Sequence, residues 1–252
     1  MTNPILQANH ISKHYPTQQG AIAALEDISF EVAAGEFLCI VGPSGCGKST
    51  ILRLLAGLVQ PDSGQVCLHG QPLTAPSADI GLVFQKANLM PWRTVFDNVL
   101  LPLQVQHVPA ELAQARAAEA LDLVGLADFA PNYPHELSGG MAQRVAIARA
   151  LAHEPEVLLL DEPFGALDAL SRERLNQELT QLWEISRKTV VMVTHDIREA
   201  VFLADRVLVL TPRPGRLAGL IPIDLPRPRP KSLFYDSDAF NALAHQVRQA
   251  IR

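Results

Sequence analysis

An unbroken apolar run, FLCIV at residues 37–41, leads straight into GPSGCGKST at residues 42–50, and a helical pattern, STILRLLAGL, follows. Strand, glycine-rich turn and helix in that order commit the chain to an α/β core. An apolar run without alternation predicts a strand buried on both faces, as in a parallel sheet. The helix is predicted to end near Gly57, with Pro61 beyond it as a stop. GPSGCGKST also matches G-x-x-x-x-G-K-[ST], a loop whose backbone N–H groups wrap nucleotide phosphates. Gly42, Gly45 and Gly47 let the backbone turn tightly and approach phosphate without a Cβ in the way. The helix that starts there aims its positive end at the same anions. Lys48 is placed to reach the β- and γ-phosphates, and the Ser49 hydroxyl to coordinate Mg²⁺. Pro43, Ser44, Cys46 and Thr50 complete the stretch, with Cys46 read as a small filler.

Two further motifs follow in a telling order. LSGGM at residues 137–141 opens an apolar, Arg-containing helical run, AQRVAIARAL, and VLLLDEP at residues 157–163 comes next. VLLLDEP sets two carboxylates at the end of an apolar strand. Asp161 is expected to hold Mg²⁺, directly or through water, as the Asp of a P-loop nucleotidase does, and Glu162 is placed to polarise an attacking water as general base. Neighbouring strand residues point to opposite faces, so the backbone is expected to leave that alternation at the strand's end. Ser138, Gly139 and Gly140 form a second anion site at a helix N-terminus. One ATP has one γ-phosphate, already surrounded by residues 42–50. The second site is therefore expected to close on the ATP of another copy, giving a homodimer through ATP.

This set of motifs resembles the ATP-binding cassette (ABC) transporter ATPases over about residues 5–215. At subfamily level it looks closest to the nitrate/sulfonate/taurine-type importer ATPases, on FQKANLMPWRTVFDNVLLPL, DEPFGALDALSRERL and VTHDIREAVFLADRVLVLTPRPGRL. The resemblance implies that Gln85 meets Mg²⁺ and the attacking water, and that His195 contacts the γ-phosphate. It implies that Asp168 lies in the loop linking two sites across a dimer, where it can equally cap a helix. It puts Tyr15 where this family stacks an aromatic on adenine; a tyrosine packed in a loop is the alternative. Met141 departs from the family's usual Gln and cannot hydrogen-bond as Gln does.

The implied fold is α/β: a P-loop NTPase core with an N-terminal antiparallel β subdomain and an inserted helical subdomain. The implied machine has two such ATPases beneath two transmembrane permease subunits, at the cytoplasmic face of the cell membrane. An extracytoplasmic solute-binding protein supplies it, and ATP and Mg²⁺ are its cofactors. Two other readings use the same phosphate loop. A non-transport ABC ATPase of the repair or translation type would carry a long coiled-coil insertion or a second cassette. A P-loop kinase would leave LSGGM unexplained.

Along the chain, strand-like pieces around residues 5–11 and 28–32 are joined by a polar connection, PTQQG. Further buried strands are IGLVF, VLLLD, TVVMVT and RVLVLT. Helical spacing without a buried strand marks residues 88–134, and the helical subdomain is set at about 88–153 within an ATPase domain of residues 1–211. An extension, residues 212–252, ends in an amphipathic helix. Trp183 reads as core. Trp92, seven residues after Gln85 in a Pro-containing loop, reads as facing a partner.

At 252 residues the chain suits one large domain with a small appendage. Its net charge of −5 gives no reason to expect nucleic acid. The extension carries seven Lys/Arg against three Asp/Glu. That basic stretch is read as a solvated surface, with contact to phospholipid or a partner as the alternative. No apolar run approaches the ~20 residues needed to span a bilayer, and MTNPILQANH lacks an export signal's pattern. Cys39, Cys46 and Cys67 have no C-x-x-C spacing and read as reduced thiols.

Overall fold

The computed structural model describes residues 4–17, 20–165, 167–229 and 237–251. In chain order they form β1 (Pro4–Thr17), β2 (Gly20–Ala33), β3 (Phe37–Val41), α1 (Lys48–Leu55), β4 (Ser63–Leu68), β5 (Gln71–Pro72) and β6 (Ile80–Val83). Then come α2 (Val95–Val105), α3 (Ala110–Leu123), α4 (Gly139–Leu151), β7 (Val157–Asp161), α5 (Ala169–Ser186), β8 (Thr189–Val193), α6 (Ile197–Leu203), β9 (Arg206–Leu210), β10 (Leu217–Pro222) and α7 (Asp238–Ala250). The chain gathers into two compact units. One holds the residues up to 77 and those from 187 onward; the other holds residues 78–186.

In the first unit β1 and β2 make a long antiparallel ladder from Pro4↔Ala33 to Thr17↔Gly20. The strands outrun the apolar pieces that announce them: the outer half of β1, SKHYPT, is largely polar, whereas that of β2 holds the buried Ala24 and Leu25. Gln18 and Gln19 of the expected PTQQG connection lie outside the described residues. Leu6, Ala8 and Ile11 are all fully buried, although the step from 8 to 11 breaks period two. The ladder absorbs it with a register shift between Ala8 and Ile11, where His10 takes a left-handed φ of 51°. β4 pairs antiparallel with β1 and β5 with β4, in the order β2-β1-β4-β5. Neither β4 nor β5 is predicted from the sequence, since SGQVCL is half polar and too short to alternate visibly.

The same unit carries the core strands in the order β10-β9-β3-β8. β3 is parallel to both β8 and β9, and every residue of β3 and β8 is buried. That double-sided burial is why FLCIV and TVVMV read as continuous apolar runs. β10 adds antiparallel to β9. The Pro- and Arg-rich composition of the extension hides this strand.

Two arginines of the extension depart from the expected solvated basic surface, whereas Arg213, Arg216 and Arg248 are exposed as expected. Arg229 is only 4% exposed. Its guanidinium donates to the carbonyls of Val201, Phe202 and Ala204 at the C-terminal end of α6, and to those of Ile223 and Leu225. Arg227 donates to the Leu203 carbonyl and to Asp205. A helix end leaves carbonyls without intrahelical donors, and a guanidinium with five N–H groups satisfies several at once. At the other end of α6, Arg198 lies over the Phe240 ring of α7, 4.9 Å from its centroid.

In the second unit β6 and β7 are parallel, Ile80↔Val157 to Val83↔Leu160. Between them run α2, α3 and α4, which pack on one another; Val99, Leu103, Ala117, Leu121, Val145 and Ala148 are among their buried apolar residues. Trp183 on α5 is buried, as its helical spacing predicts. No described helix is long and apolar enough to cross a membrane.

Candidate active site

The first unit supplies the phosphate loop. Gly47 caps α1 with φ 103°, and a Cβ there would lie 2.6 Å from Leu25 Cδ2 and 2.8 Å from the Ala24 carbonyl. Only glycine fits both the conformation and the space. The first turn of α1 holds no acidic residue, so nothing opposes an anion at its positive end. Lys48 is buried, and its ammonium donates to the carbonyls of Gly42 at 3.0 Å and Pro43 at 3.1 Å. Ser44 and Gly45 are exposed, Pro43, Ser49 and Thr50 half-buried. Cys46 is buried, and burial pushes its thiol up, in keeping with a filler.

Two other predicted residues lie on this unit. His195, exposed, follows β8 and is framed by a hydrogen-bonded turn. The Asp196 N–H donates to Thr194 Oγ1 at 3.0 Å, and the Asp196 carboxylate accepts from Arg198 and Glu199 N–H to start α6. Thr194 in turn donates to Glu199, buried. Tyr15 is a β1 residue, paired with Ile22 and half-buried, with Lys13 Nζ 5.9 Å from its ring centroid.

The second unit brings the carboxylates and Gln85 to one place. Asp161 ends β7, half-buried. Glu162 then takes a left-handed φ of 44°, which breaks the strand's alternation, as expected at the strand's end. For a residue with a Cβ this conformation costs about 1–3 kcal/mol. Its carboxylate accepts from Gln85 Nε2 at 3.4 Å, and the Gly165 N–H bonds its carbonyl at 3.0 Å. Gln143 of α4, buried, donates to the Phe84 carbonyl at 3.1 Å and so fastens the strand end that carries Gln85.

LSGGM forms the start of α4. Ser138 is the N-cap, accepting from the Met141 N–H at 3.3 Å, and no acidic residue occupies the first turn. Ser138, Gly139, Gly140, Met141, Asp168 and Ser171 all line one cavity of about 260 Å³. Asp168 caps α5 through the Ser171 N–H at 3.0 Å, and the hydrogen bonds from Ser171 hold its carboxyl below the usual carboxylate range. The structure thus brings Asp168 together with LSGGM, and Gln85 together with Glu162.

These motifs sit on the scaffold known for them. The family model described as "ABC transporter" matches residues 25–165, more than half of the chain. The chain belongs to the ABC transporter ATPases. This ABC ATPase is 49% identical over 224 residues to the nitrate import ATP-binding protein of Synechococcus elongatus, covering 87% of the chain and 82% of that protein. It is 42% identical over 241 residues to the aliphatic sulfonates import ATP-binding protein of Bacillus cereus, covering 96% and 93%. A solved dimeric ATP-binding cassette in a post-hydrolysis state, bound to ADP and Pi, matches with a TM-score of 0.77 and 36% identity, over 87% of this chain and 99% of that one.

Sequence reasoning missed the residues that shape the loop after Gln85 in this ABC ATPase. Asn98 on α2 is fully buried; it accepts from the Met90 N–H and donates to the carbonyls of Met90, Arg93 and Thr94. Arg149 of α4 donates to the Ala87 and Asn88 carbonyls. With its backbone held this way, the loop leaves Trp92 73% exposed. Contacts to backbone carbonyls have no characteristic spacing, so no sequence signal could have shown them.

Proposed function

We propose that this chain is the ATP-hydrolysing subunit of an importer for a small solute of the nitrate, sulfonate or taurine class. It works as a homodimer through ATP, beneath two transmembrane permease subunits at the cytoplasmic face of the membrane, with an extracytoplasmic solute-binding protein delivering the solute. One observation carries the reading. The chain has two helix N-termini built for anions, at Gly47 and at Ser138, and the second opens into a cavity shared with Asp168. The import functions of the nitrate and sulfonate relatives support the solute class.

Within this reading the residues divide the work. Lys48 and the loop amides take the β- and γ-phosphates, and Tyr15 stacks on adenine. Ser138, Gly139, Gly140 and Asp168 meet the nucleotide held by the other copy. Glu162 takes the proton of the attacking water, which Gln85 orients and His195 helps align on the γ-phosphate. Ser49, Asp161 and Gln85 offer the hard oxygen ligands that Mg²⁺ takes, too few to hold it without water and phosphate oxygens, which is how Mg²⁺ sits in nucleotidases. Bound there, Mg²⁺ would neutralise charge on the β- and γ-phosphate oxygens.

Mixing two damaged copies tests the shared site. Lys48→Ala disables the phosphate loop and Ser138→Arg fills the signature cavity. Homodimers of either contain no complete site, whereas a mixed dimer contains one doubly damaged site and one built from unmutated halves. ATP-dependent pairing, read by sizing or crosslinking, is expected to return on mixing. Full ATPase activity from an obligate monomer of the unmodified chain refutes the shared site.

In this reading Trp92 and its neighbours form part of the surface that receives the permease. Trp92→Ala is expected to reduce co-purification of permease subunits from membranes severalfold while the isolated subunit keeps its basal ATPase. Because the side chain is 73% exposed, its loss is expected to change stability by no more than about 0.5 kcal/mol.

A further inference from the structure

A loop that turns its N–H groups inward toward phosphate turns its carbonyls outward, and those carbonyls need donors. In the phosphate loop most of the donors are local. Lys48 serves Gly42 and Pro43, the Cys46 N–H also bonds Pro43 O at 3.3 Å, and the Ile51 N–H bonds Gly47 O at 3.0 Å. The Gly45 carbonyl is served from far along the chain: Arg213 Nε donates to it at 3.1 Å.

Arg213 stands on a turn, residues 211–216, that is fastened against the loop. Gly215 N–H bonds the Ala24 carbonyl at 3.0 Å and Glu26 N–H bonds the Gly215 carbonyl at 2.9 Å. Thr211 Oγ1 closes the turn, donating to Pro214 O and accepting from the Arg216 N–H. The fit leaves no space for a side chain, since a Cβ on Gly215 would lie 2.1 Å from the Cys46 carbonyl. The turn therefore abuts the loop at two successive carbonyls, those of Gly45 and Cys46.

We propose that Arg213 is a positioning residue for ATP binding: it holds the Gly45 carbonyl so that the phosphate-facing amides of the loop stay aligned before nucleotide arrives. The proposal rests on the phosphate-loop reading above. Lys48 has a competing duty to the phosphates, whereas Arg213 can keep its bond throughout the cycle. Gly45 has φ 76°, a conformation open to many alternatives in glycine, and Arg213 selects among them.

The full chain is tested as Arg213→Ala, Arg213→Lys, Arg216→Ala and Lys48→Ala, reading KM and kcat for ATP, nucleotide Kd and melting temperature. Arg216 lies on the same turn but pairs with Glu26 at 2.9 Å at the surface, so its removal controls for general loosening of the turn. Arg213→Ala is expected to raise KM and Kd about fivefold, the worth of one charge-assisted hydrogen bond made at the exposed surface, with kcat kept. Arg213→Lys is expected to restore most of the affinity, and Arg216→Ala to leave it unchanged. Unchanged affinity in Arg213→Ala while Lys48→Ala loses ATP overturns the positioning role alone. An equal loss in Arg216→Ala also overturns it, because the turn would then act only by its stability. Normal ATP binding together with normal turnover in Lys48→Ala overturns the phosphate-loop reading and the proposal with it.

Discussion

Glu162→Gln is expected to bind ATP, lose turnover by about a hundredfold or more, and accumulate an ATP-bound dimer. The magnitude follows from the usual worth of a positioned general base, ~10²–10⁴ in rate. Glutamine matches glutamate in size, so the shape of the site should survive. The carboxylate lies 3.4 Å from Gln85 Nε2, and the glutamine carbonyl can accept the same hydrogen bond. What it cannot do is take a proton from water. The strained backbone sharpens the expectation, because a φ of 44° persists only where neighbouring structure over-determines it, and such strain collects where a side chain has to be aimed. Phosphate release under saturating ATP gives the rate, and sizing with and without ATP gives the trapped dimer. Normal turnover in Glu162→Gln would remove this residue as the base.

Lys48→Ala is expected to weaken ATP binding by roughly tenfold to a hundredfold, the worth of a hydrogen-bonded charge, and to abolish measurable hydrolysis. Two losses combine. The ammonium that meets the β- and γ-phosphates disappears, and the Gly42 and Pro43 carbonyls lose the donor that gathers the loop around it. Lys48→Arg is not a conservative rescue. The side chain is 94% buried, and a planar five-donor fork cannot occupy the space of a compact ammonium. Titration with a fluorescent nucleotide analogue reports the affinity and phosphate release the rate. Retained affinity with lost turnover would show that Lys48 acts in the transition state and not in holding ATP.

Much of this protein could be read from its residues in order. β3, β6, β7, β8 and β9 announce themselves because strands of a parallel sheet are apolar throughout, and such runs have few other places to go. The phosphate loop is legible because a tight turn against an anion needs glycines at fixed spacing, as Gly47 shows. The start of α4 is legible because Ser138 is a helix N-cap, set just before the apolar helical run AQRVAIARAL.

Tertiary structure alone decided the rest. β4 and β10 are strands because β1 and β9 offer edges to them, not because SGQVCL or LAGLIP insists on that state. Arg229 is composed like any surface arginine, and only the carbonyls at the end of α6 turn it into a buried tie. Asn98 shapes the Trp92 loop, and Arg213 reaches the phosphate loop across 168 positions of sequence. Side-chain periodicity reports which face of an element meets the core. A hydrogen bond to a distant backbone carbonyl has no period, so it exists only once the chain has folded.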